Sequence, residues 1–384
     1  MKVLLVSTSS GSRGGGELSL LYLGRALRAR GHEVLLWMSR HERMDELAAK
    51  FGSVGLVVRS EYQNTYDRRT RSFGAWLDGG TARRVAKEWR DIGADIIHLN
   101  KQNLEDGLDL LAAARLTRTP AVAMIHITQS ASYLRAEFAE LRDAIARTAL
   151  RRFRGLLVTT PGSRERELRA FLRDPVNVCT VPNGVPIPGV DLLSDARAAK
   201  RRELSVADGE LLILAVGRMV PQKRPLLFLE IAARMRAKIP NARFIWVGDG
   251  ATSAAWDEFV AQHDLGEFVQ RLPWQHEVTP LLAAADVFMH VAEFEGLAFA
   301  ILEAMAAGVP CAIAPNLLTE MPFLNTETAI AIDDADTWMN ILTARQKLEA
   351  IGRAGRRVAE ENFSYESMAA CYEAVYLAEL EKMK

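Results

Sequence analysis

Short apolar runs alternate with longer amphipathic stretches from the first residues of the chain: VLLVS at 3–7, then ELSLLYLGRALRARG, then EVLLWM at 33–38. DIIHLN at 95–100, AVAMIHI at 121–127 and GLLVTT at 155–160 continue the alternation. A strand that reads as an unbroken apolar run has both faces covered, and a helix between two such strands brings the chain back for parallel pairing. The pattern predicts a parallel sheet wrapped by helices. In the helical stretch 17–30, Leu18, Leu21, Tyr22 and Leu27 make one apolar side while Arg25 and Arg28 stay in water, and Gly31 supplies the stop.

The texture changes around 182–203, in PNGVPIPGVDLLSDARAAKRRE, where prolines and glycines precede a charged stretch; this is the best candidate for a linker. The alternation then restarts with LLILAVG at 211–217, RFIWVGDG at 243–250, DVFMHVA at 286–292 and PCAIA at 310–314. The expectation is two doubly wound α/β domains, 1–188 and 189–362, facing across a cleft. In such sheets ligands sit beyond the carboxyl ends of the strands. The segment 363–384 reads as an amphipathic helix with no strand after it, so it needs an apolar surface to dock on.

Composition narrows the function. At 384 residues the chain exceeds what a single core sustains, which agrees with two domains. Lys+Arg and Asp+Glu balance at 48 each, leaving no overall field to draw nucleic acid. Cys179, Cys311 and Cys371 match no metal or redox spacing and suit a reducing compartment. No apolar run reaches the roughly 18 residues of a membrane span. The sequence therefore reads as cytoplasmic, with peripheral attachment to the inner face of a membrane left open.

Three constellations carry chemistry. SSGSRGGGELSL at 9–20 follows the first strand and opens the first helix, where glycines and free N–H groups suit a phosphate; an ordinary βα turn is the alternative. In VGRMVPQKRP at 216–225, Arg218 and Lys223 follow a strand end and suit a diphosphate, one as a fork and the other as a point charge. A solvated basic loop is the alternative there. In EFEGLAFAILEAMAAGVP at 293–310, Glu295 falls in a strand-end loop and Glu303 in a helix expected from about 298 to 307, stopped by Gly308. The neighbours Ile301, Leu302, Ala304 and Met305 leave that helix little solvent face, so Glu303 requires a partner, either a ligand diol or a protein group.

These residues bring a family into view. EGLAFAILEAMAAGVP resembles the glutamate, seven-residue gap, glutamate motif of the retaining nucleotide-sugar glycosyltransferases of family 4, whose fold is GT-B, two Rossmann-like domains. GGGELSLLYLGRALRARGHEV, VPNGV at 181–185, GRMVPQK and AAADVFMHVAEFEG resemble further family elements in the same order. The resemblance implies that Gly15 and Gly16 border the donor diphosphate, that Arg218 and Lys223 neutralise it, and that His126 touches the donor sugar. It places Glu295 beside that sugar, Glu303 on the ribose hydroxyls, and Trp274 and Gln275 at the nucleobase. It also implies retention of anomeric configuration, no essential metal or other cofactor, a sugar or lipid-linked acceptor, and a terminal helix that crosses back onto the first domain. Within the resemblance the chain departs at Gly296, Leu297 and Ala298, where the family has Gly-Phe-Gly at the phosphates. It departs again at PNLLTEMPF, 315–323, in place of a glycine-rich turn, and at Arg224 and Pro225 after Lys223.

Other residues stay open. His98 ends DIIHLN, and the polar loop from Asn100 to Asn103 follows it; an acceptor contact by His98 and Asn100 is one reading, a structural hydrogen bond the other. DDAD at 333–336 lacks a metal-loop signature and reads as the acidic first turn of a helix. Arg68, Arg69, Arg71, Arg83 and Arg84 with Tyr62, Tyr66, Phe73 and Trp76, and separately ARTALRRFR at 146–154, are surfaces for a polyanionic or lipid-linked partner or plain solvated faces. A sugar-nucleotide 2-epimerase and a non-catalytic sugar-nucleotide-binding protein are the alternatives to a transferase.

Overall fold

In the computed structural model, which describes residues 1–173, 177–236, 238–332 and 344–382, the chain divides into two units, Met1–Gly184 with Tyr365–Lys384, and Val185–Ser364. The acidic run 333–336 lies outside the described residues.

The sheet of the first unit has seven strands: β1 (Lys2–Ser7), β2 (Glu33–Ser39), β3 (Leu56–Ser60), β4 (Ile96–Asn103), β5 (Ala121–Ile127), β6 (Leu156–Thr159) and β7 (Val178–Thr180). They pair in parallel in the order β3-β2-β1-β4-β5-β6-β7. The central strands are fully buried, as their unbroken apolar runs require: Val3, Leu4, Leu5 and Val6 of β1 are all inaccessible. The strand order reverses between β1 and β4, where Ser7 lies opposite Asn100. That reversal opens a crevice at the carboxyl ends of these two strands.

The second unit repeats the plan with six strands: β8 (Leu211–Val216), β9 (Ala242–Val247), β10 (Val269–Leu272), β11 (Val287–His290), β12 (Cys311–Ile313) and β13 (Ala329–Ala331). Their order is β10-β9-β8-β11-β12-β13, all parallel, and the reversal falls between β8 and β11. Phe228, Phe244, Trp246 and Trp256 pack edge-on and stacked beneath the β8–β9 side of the sheet. Trp246 also donates its Nε1–H to the Gly217 carbonyl at 2.9 Å, which ties this core to the first residue of the loop after β8.

The linker expectation at 182–203 is corrected. The crossing between units falls at Gly184 and Val185 rather than at 188 and 189, because the Val185 N–H bonds the Phe363 carbonyl at 2.8 Å and Val185 bridges Ser364. The charged part is the helix Val190–Glu203 of the second unit. Its Arg197 donates to the carbonyls of Ala283, Ala284 and Ala285 at 3.0, 3.0 and 2.9 Å, and its Arg201 to that of Ala284 at 3.1 Å. The two arginines thus cap the C-terminal end of the helix Thr279–Ala284.

The terminal helix Tyr365–Glu381 packs on the first unit, where Met368, Ala369, Tyr372 and Tyr376 join the core around β1, β2 and the helix Gly15–Ala29. His98 is buried beneath it. The expectation that His98 ends its strand and meets an acceptor is corrected, since β4 continues to Asn103 and the imidazole Nδ1 bonds the Tyr376 hydroxyl at 2.8 Å. The Tyr372 ring lies edge-on to His98 at 4.8 Å. Burial, with the neighbouring His126, lowers the His98 pKa to about 3, so the ring is a neutral core group.

Candidate functional site

Each unit gathers polar side chains at its own strand-order reversal. In the first unit the glycine loop follows β1 and leads into the helix Gly15–Ala29. Asn100, on the adjacent β4, is 1% exposed; its Nδ2 donates to the Gly16 carbonyl at 2.9 Å and its Oδ1 faces His126 Nε2 at 2.8 Å. The sequence places Asn100 in a loop open to an acceptor, whereas the strand holds it between the glycine loop and the imidazole. A side chain at position 16 would strike the Gln102 amide, 2.2 Å away, so the backbone here is in close approach. Gln102 in turn donates to the carboxylate of Glu17 at 3.1 Å, and Glu17 is buried in the first turn of the helix. His126 is the penultimate residue of β5; burial lowers its pKa to about 4, so it is neutral through the physiological range. Because the Asn100 oxygen faces Nε2, the ring carries its proton there and Nδ1 is left as a hydrogen-bond acceptor.

In the second unit the loops after β8 and β11 meet. Arg218 is exposed at the start of the first loop. Gly248, at φ +136, lets the β9 loop approach so closely that a side chain there would sit 2.3 Å from the Gly217 carbonyl. Lys223 ends the short helical turn Pro221–Lys223 and pairs through Nζ with Glu295 Oε1. The same oxygen faces His290 Nε2 at 2.7 Å. Burial alone raises a carboxyl pKa, but Lys223 and His290 outweigh it and hold Glu295 down at about 2. Glu295 is therefore an enclosed carboxylate between two cation-capable groups, 5% exposed, rather than an open loop residue.

The loop that carries Glu295 is pinned from both sides. Gln222 donates to the Phe294 carbonyl at 2.8 Å and accepts from the Glu293 N–H at 2.8 Å. Asn316, in the helix Pro315–Glu320, donates to the carbonyls of Ala292 and Glu293 at 3.2 and 2.7 Å, and Glu320 accepts from the Glu295 N–H at 3.3 Å. The segment that replaces a glycine-rich turn thus supplies side chains that hold this loop. Gly296 is half-buried, and Leu297 and Ala298 are buried. Ala298 sits at φ −66, ψ 113, an ordinary conformation for alanine, so the methyl group imposes no backbone strain. The helix that follows, Phe299–Ala306, ends at Gly308 with φ +73. Glu303 is half-buried on it, so the full enclosure expected for this carboxylate is corrected. Trp274 and Gln275 follow β10; the Trp274 N–H is taken by Asp249 at 2.9 Å, and its ring meets His276 edge-on at 4.6 Å.

The structure joins Gly16, Asn100 and His126 in one cluster, and Lys223 and Glu295 in another with Arg218 on the same loop as Lys223. His98 belongs to neither as a contact. Sequence reasoning missed Glu17, Gln222, His290, Asn316 and Glu320, and it took Gln102 only as part of the polar stretch after His98. Of these only His290 left a signal, a histidine inside an apolar strand run.

Two parallel doubly wound sheets, with polar groups at both reversal points and cations at the second, define a nucleotide- or phosphate-handling α/β protein. Residues 13–187 match the family described as Glycosyltransferase Family 4, and residues 196–350 match Glycosyl transferases group 1. The chain belongs to the family 4 glycosyltransferases, with the GT-B fold. The Escherichia coli UDP-Gal:alpha-D-GlcNAc-diphosphoundecaprenol alpha-1,3-galactosyltransferase is 30% identical over 176 residues, 44% of this chain and 45% of that protein. The chain thus spans about half the length of this curated relative. The alpha-monoglucosyldiacylglycerol synthase of Acholeplasma laidlawii is 21% identical over 78% of this chain and 79% of its own. Among solved structures, Anabaena HepE in complex with UDP-glucose superposes with a TM-score of 0.79 at 18% identity, covering 98% of this chain and 100% of that one. The family match disfavours the epimerase and the non-catalytic alternatives. Among the described residues no helix is long and apolar enough to cross a membrane.

Proposed function

We propose that the chain is a retaining glycosyltransferase that moves a sugar from a nucleoside-diphosphate-sugar to a hydroxyl of a glycan, glycolipid or secondary-metabolite acceptor. The observation that carries the reading is the Arg218, Lys223 and Glu295 group at the β8–β11 reversal, a cationic loop beside an enclosed carboxylate and the start of a helix. Departure of the nucleoside diphosphate builds negative charge, and Arg218 and Lys223 are suited to stabilise it. In this reading Lys223 exchanges its carboxylate partner for phosphate oxygen, and His290 keeps Glu295 aimed.

Glu303 takes the ribose hydroxyls, Trp274 and Gln275 border the base, and Gly296, Leu297 and Ala298 border the phosphates. Gly15 and Gly16 also line the diphosphate, and the lone pair on His126 Nδ1 receives a sugar hydroxyl. Asn100 holds His126 and leaves the acceptor role. The reading requires no metal and no cofactor, and it takes a sugar or lipid-linked acceptor at the inner face of a membrane. It is supported by HepE, a fold relative solved with UDP and with UDP-glucose. A thermal-shift panel of UDP, GDP, ADP and dTDP tests it: the matching nucleotide at a hundred times its Kd adds about 2.7 kcal/mol. No shift with any of the four overturns the donor site.

A further inference from the structure

The glycine loop of the first unit is anchored at both ends, and both anchors use Asn100. At the far end the Asn100 amide holds the Gly16 carbonyl. At the near end Thr8, the first residue after β1, donates its hydroxyl to the Asn100 carbonyl at 2.9 Å. The same hydroxyl oxygen touches Asp106 Oδ2. Asp106 lies in the turn after β4, which ends at Gly107 with φ +58. A side chain at Gly107 would sit 2.8 Å from Thr8 Cγ2, so the turn is drawn tightly against Thr8. Thr8 and Asp106 are each 1% exposed.

Counting hydrogens assigns a proton to this carboxyl. A threonine hydroxyl has one hydrogen, yet Thr8 Oγ1 lies between two acceptor oxygens, the Asn100 carbonyl and Asp106 Oδ2. With Asp106 ionised, one of the two contacts sets oxygen against oxygen with no hydrogen between them. With a proton on Oδ2, Asp106 donates to Thr8, Thr8 donates to Asn100, and both contacts are hydrogen bonds. The Gln102 N–H, 3.3 Å from Oδ2, fits either form, because the oxygen of an acid hydroxyl still accepts. Asp106 Oδ1 points the same way: it is buried and, among the described residues, accepts no hydrogen bond. A neutral carbonyl oxygen tolerates that at lower cost than a buried carboxylate does.

The neighbouring charges are engaged elsewhere or held at a distance. Asp109, on the helix Leu108–Thr117, is bonded by Arg68 and by the Tyr62 hydroxyl, Glu105 pairs with Arg142, and the Tyr66 hydroxyl accepts from Asn103. Lys101 on β4 is wholly buried, and among the described residues its Nζ makes no hydrogen bond, to Asp106 or to any other group. Burial lowers the Lys101 pKa to about 8 against the pull of Asp106, Asp109 and Glu105. Burial raises that of Asp106, outweighing Lys101, the Thr8 and Gln102 bonds and the nearby Thr65 hydroxyl. We propose that Asp106 is a positioning residue that works as a neutral acid: the hydrogen-bond chain from Asp106 through Thr8 to the Asn100 carbonyl fixes the start of the glycine loop. The proposal rests on the transferase reading for what the loop does, and on this geometry alone for what holds it.

Two measurements on the full chain test it. The infrared difference between the parent and Asp106→Asn at neutral pH should contain the carbonyl band of a protonated carboxyl, and its absence overturns the proposal. Hydrogen exchange read by mass spectrometry reports on the loop through peptides that span residues 9–16. An asparagine amide keeps a donor for Thr8, so Asp106→Asn should exchange there within about twofold of the parent. Thr8→Val and Asp106→Leu break the chain, and exchange in these peptides should quicken about threefold to tenfold. Peptides from β2 and β6 should stay as protected as in the parent, which separates release of the loop from unfolding of the unit; if Asp106→Leu does not fold, Thr8→Val carries this arm. Equal quickening in Asp106→Asn and Asp106→Leu would mean that the loop needs a carboxylate, and an unchanged loop in Thr8→Val would mean that the chain anchors nothing. Either result overturns the proposal. Neither measurement uses a donor, so its failure and that of the transferase reading are distinguishable.

Discussion

One amide side chain, that of Asn100, holds the Gly16 carbonyl at 2.9 Å and sets the tautomer of His126 at 2.8 Å. Asn100→Asp keeps the shape but replaces the donor to Gly16 with an acceptor and places a negative charge beside the imidazole. The His126 pKa, about 4 in the parent, should rise toward neutrality, because a carboxylate stabilises the imidazolium. The pH profile of transfer, flat above about pH 5 in the parent, should gain a limb near neutral pH. A kcat loss on the order of tenfold to a hundredfold should accompany it, with KM little changed. An unaltered profile would falsify the positioning role.

Acid should draw down the stability that two buried histidines give the folded first unit. His98 and His126 are lowered to about 3 and about 4, below the ordinary 6.5, by burial. The unfolded chain therefore binds these protons first. The contribution of the two rings is full above 6.5 and falls as pH drops toward 4, by up to about 1.4 kcal/mol per pH unit for each, against an opposing gain from Asp109, whose carboxyl burial raises to about 6. In the second unit Glu295, held at about 2, adds a loss of the same sign as pH falls below its ordinary 4.5. Urea titrations at a series of pH values measure the slope, and His98→Gln should reduce it.

Lys223 and Glu295 are both largely enclosed, with side chains 18% and 7% exposed. Removing one leaves the other charge buried without its partner, so Lys223→Ala and Glu295→Ala should each cost about 3 kcal/mol. The double variant should cost clearly less than the sum, a coupling of about 1–3 kcal/mol seen in denaturant melts. Simple additivity would show that the ion pair contributes nothing. Transfer should be lost in Lys223→Ala while the far-ultraviolet circular dichroism remains native.

Arg224 occupies a left-handed conformation, φ 50, between the turn that ends at Lys223 and the helix that starts at Pro225. A side chain costs roughly 1 kcal/mol there, which glycine does not incur. Arg224→Gly should therefore raise stability by about that amount, measured as a higher denaturation midpoint, and a lower midpoint would count against the strain.

Much of the fold could be read from the chain, and what could not follows a physical rule. The nine strands marked by apolar runs include every central strand of both sheets. The four without a mark, β3, β7, β10 and β13, are the four sheet edges. An edge strand has one neighbour and one open side, and β3 is accordingly half-exposed over most of its length, so it carries no unbroken apolar run. The charged half of the supposed linker misled for a related reason. Arg197 and Arg201 look solvated in sequence, but their forks satisfy carbonyls of a helix some eighty residues away. The glutamate and Arg–Lys elements were legible because loop chemistry is written in local order. The Asn100 bridge, the His290 contact and the cover over His98 were not, because each depends on a partner from another element. Periodicity records that a position is covered and not by what.

The terminal helix bears on how the chain matures during synthesis. β1 to β7 precede the second unit in the chain, yet Tyr372 and Tyr376, which cover His98 and complete the core around β1, are translated only after it. The sheet made before the second unit is thus sealed only after it, by the helix Tyr365–Glu381. Deleting the helix Tyr365–Glu381 should therefore damage the sheet made first, leaving the later-made one intact.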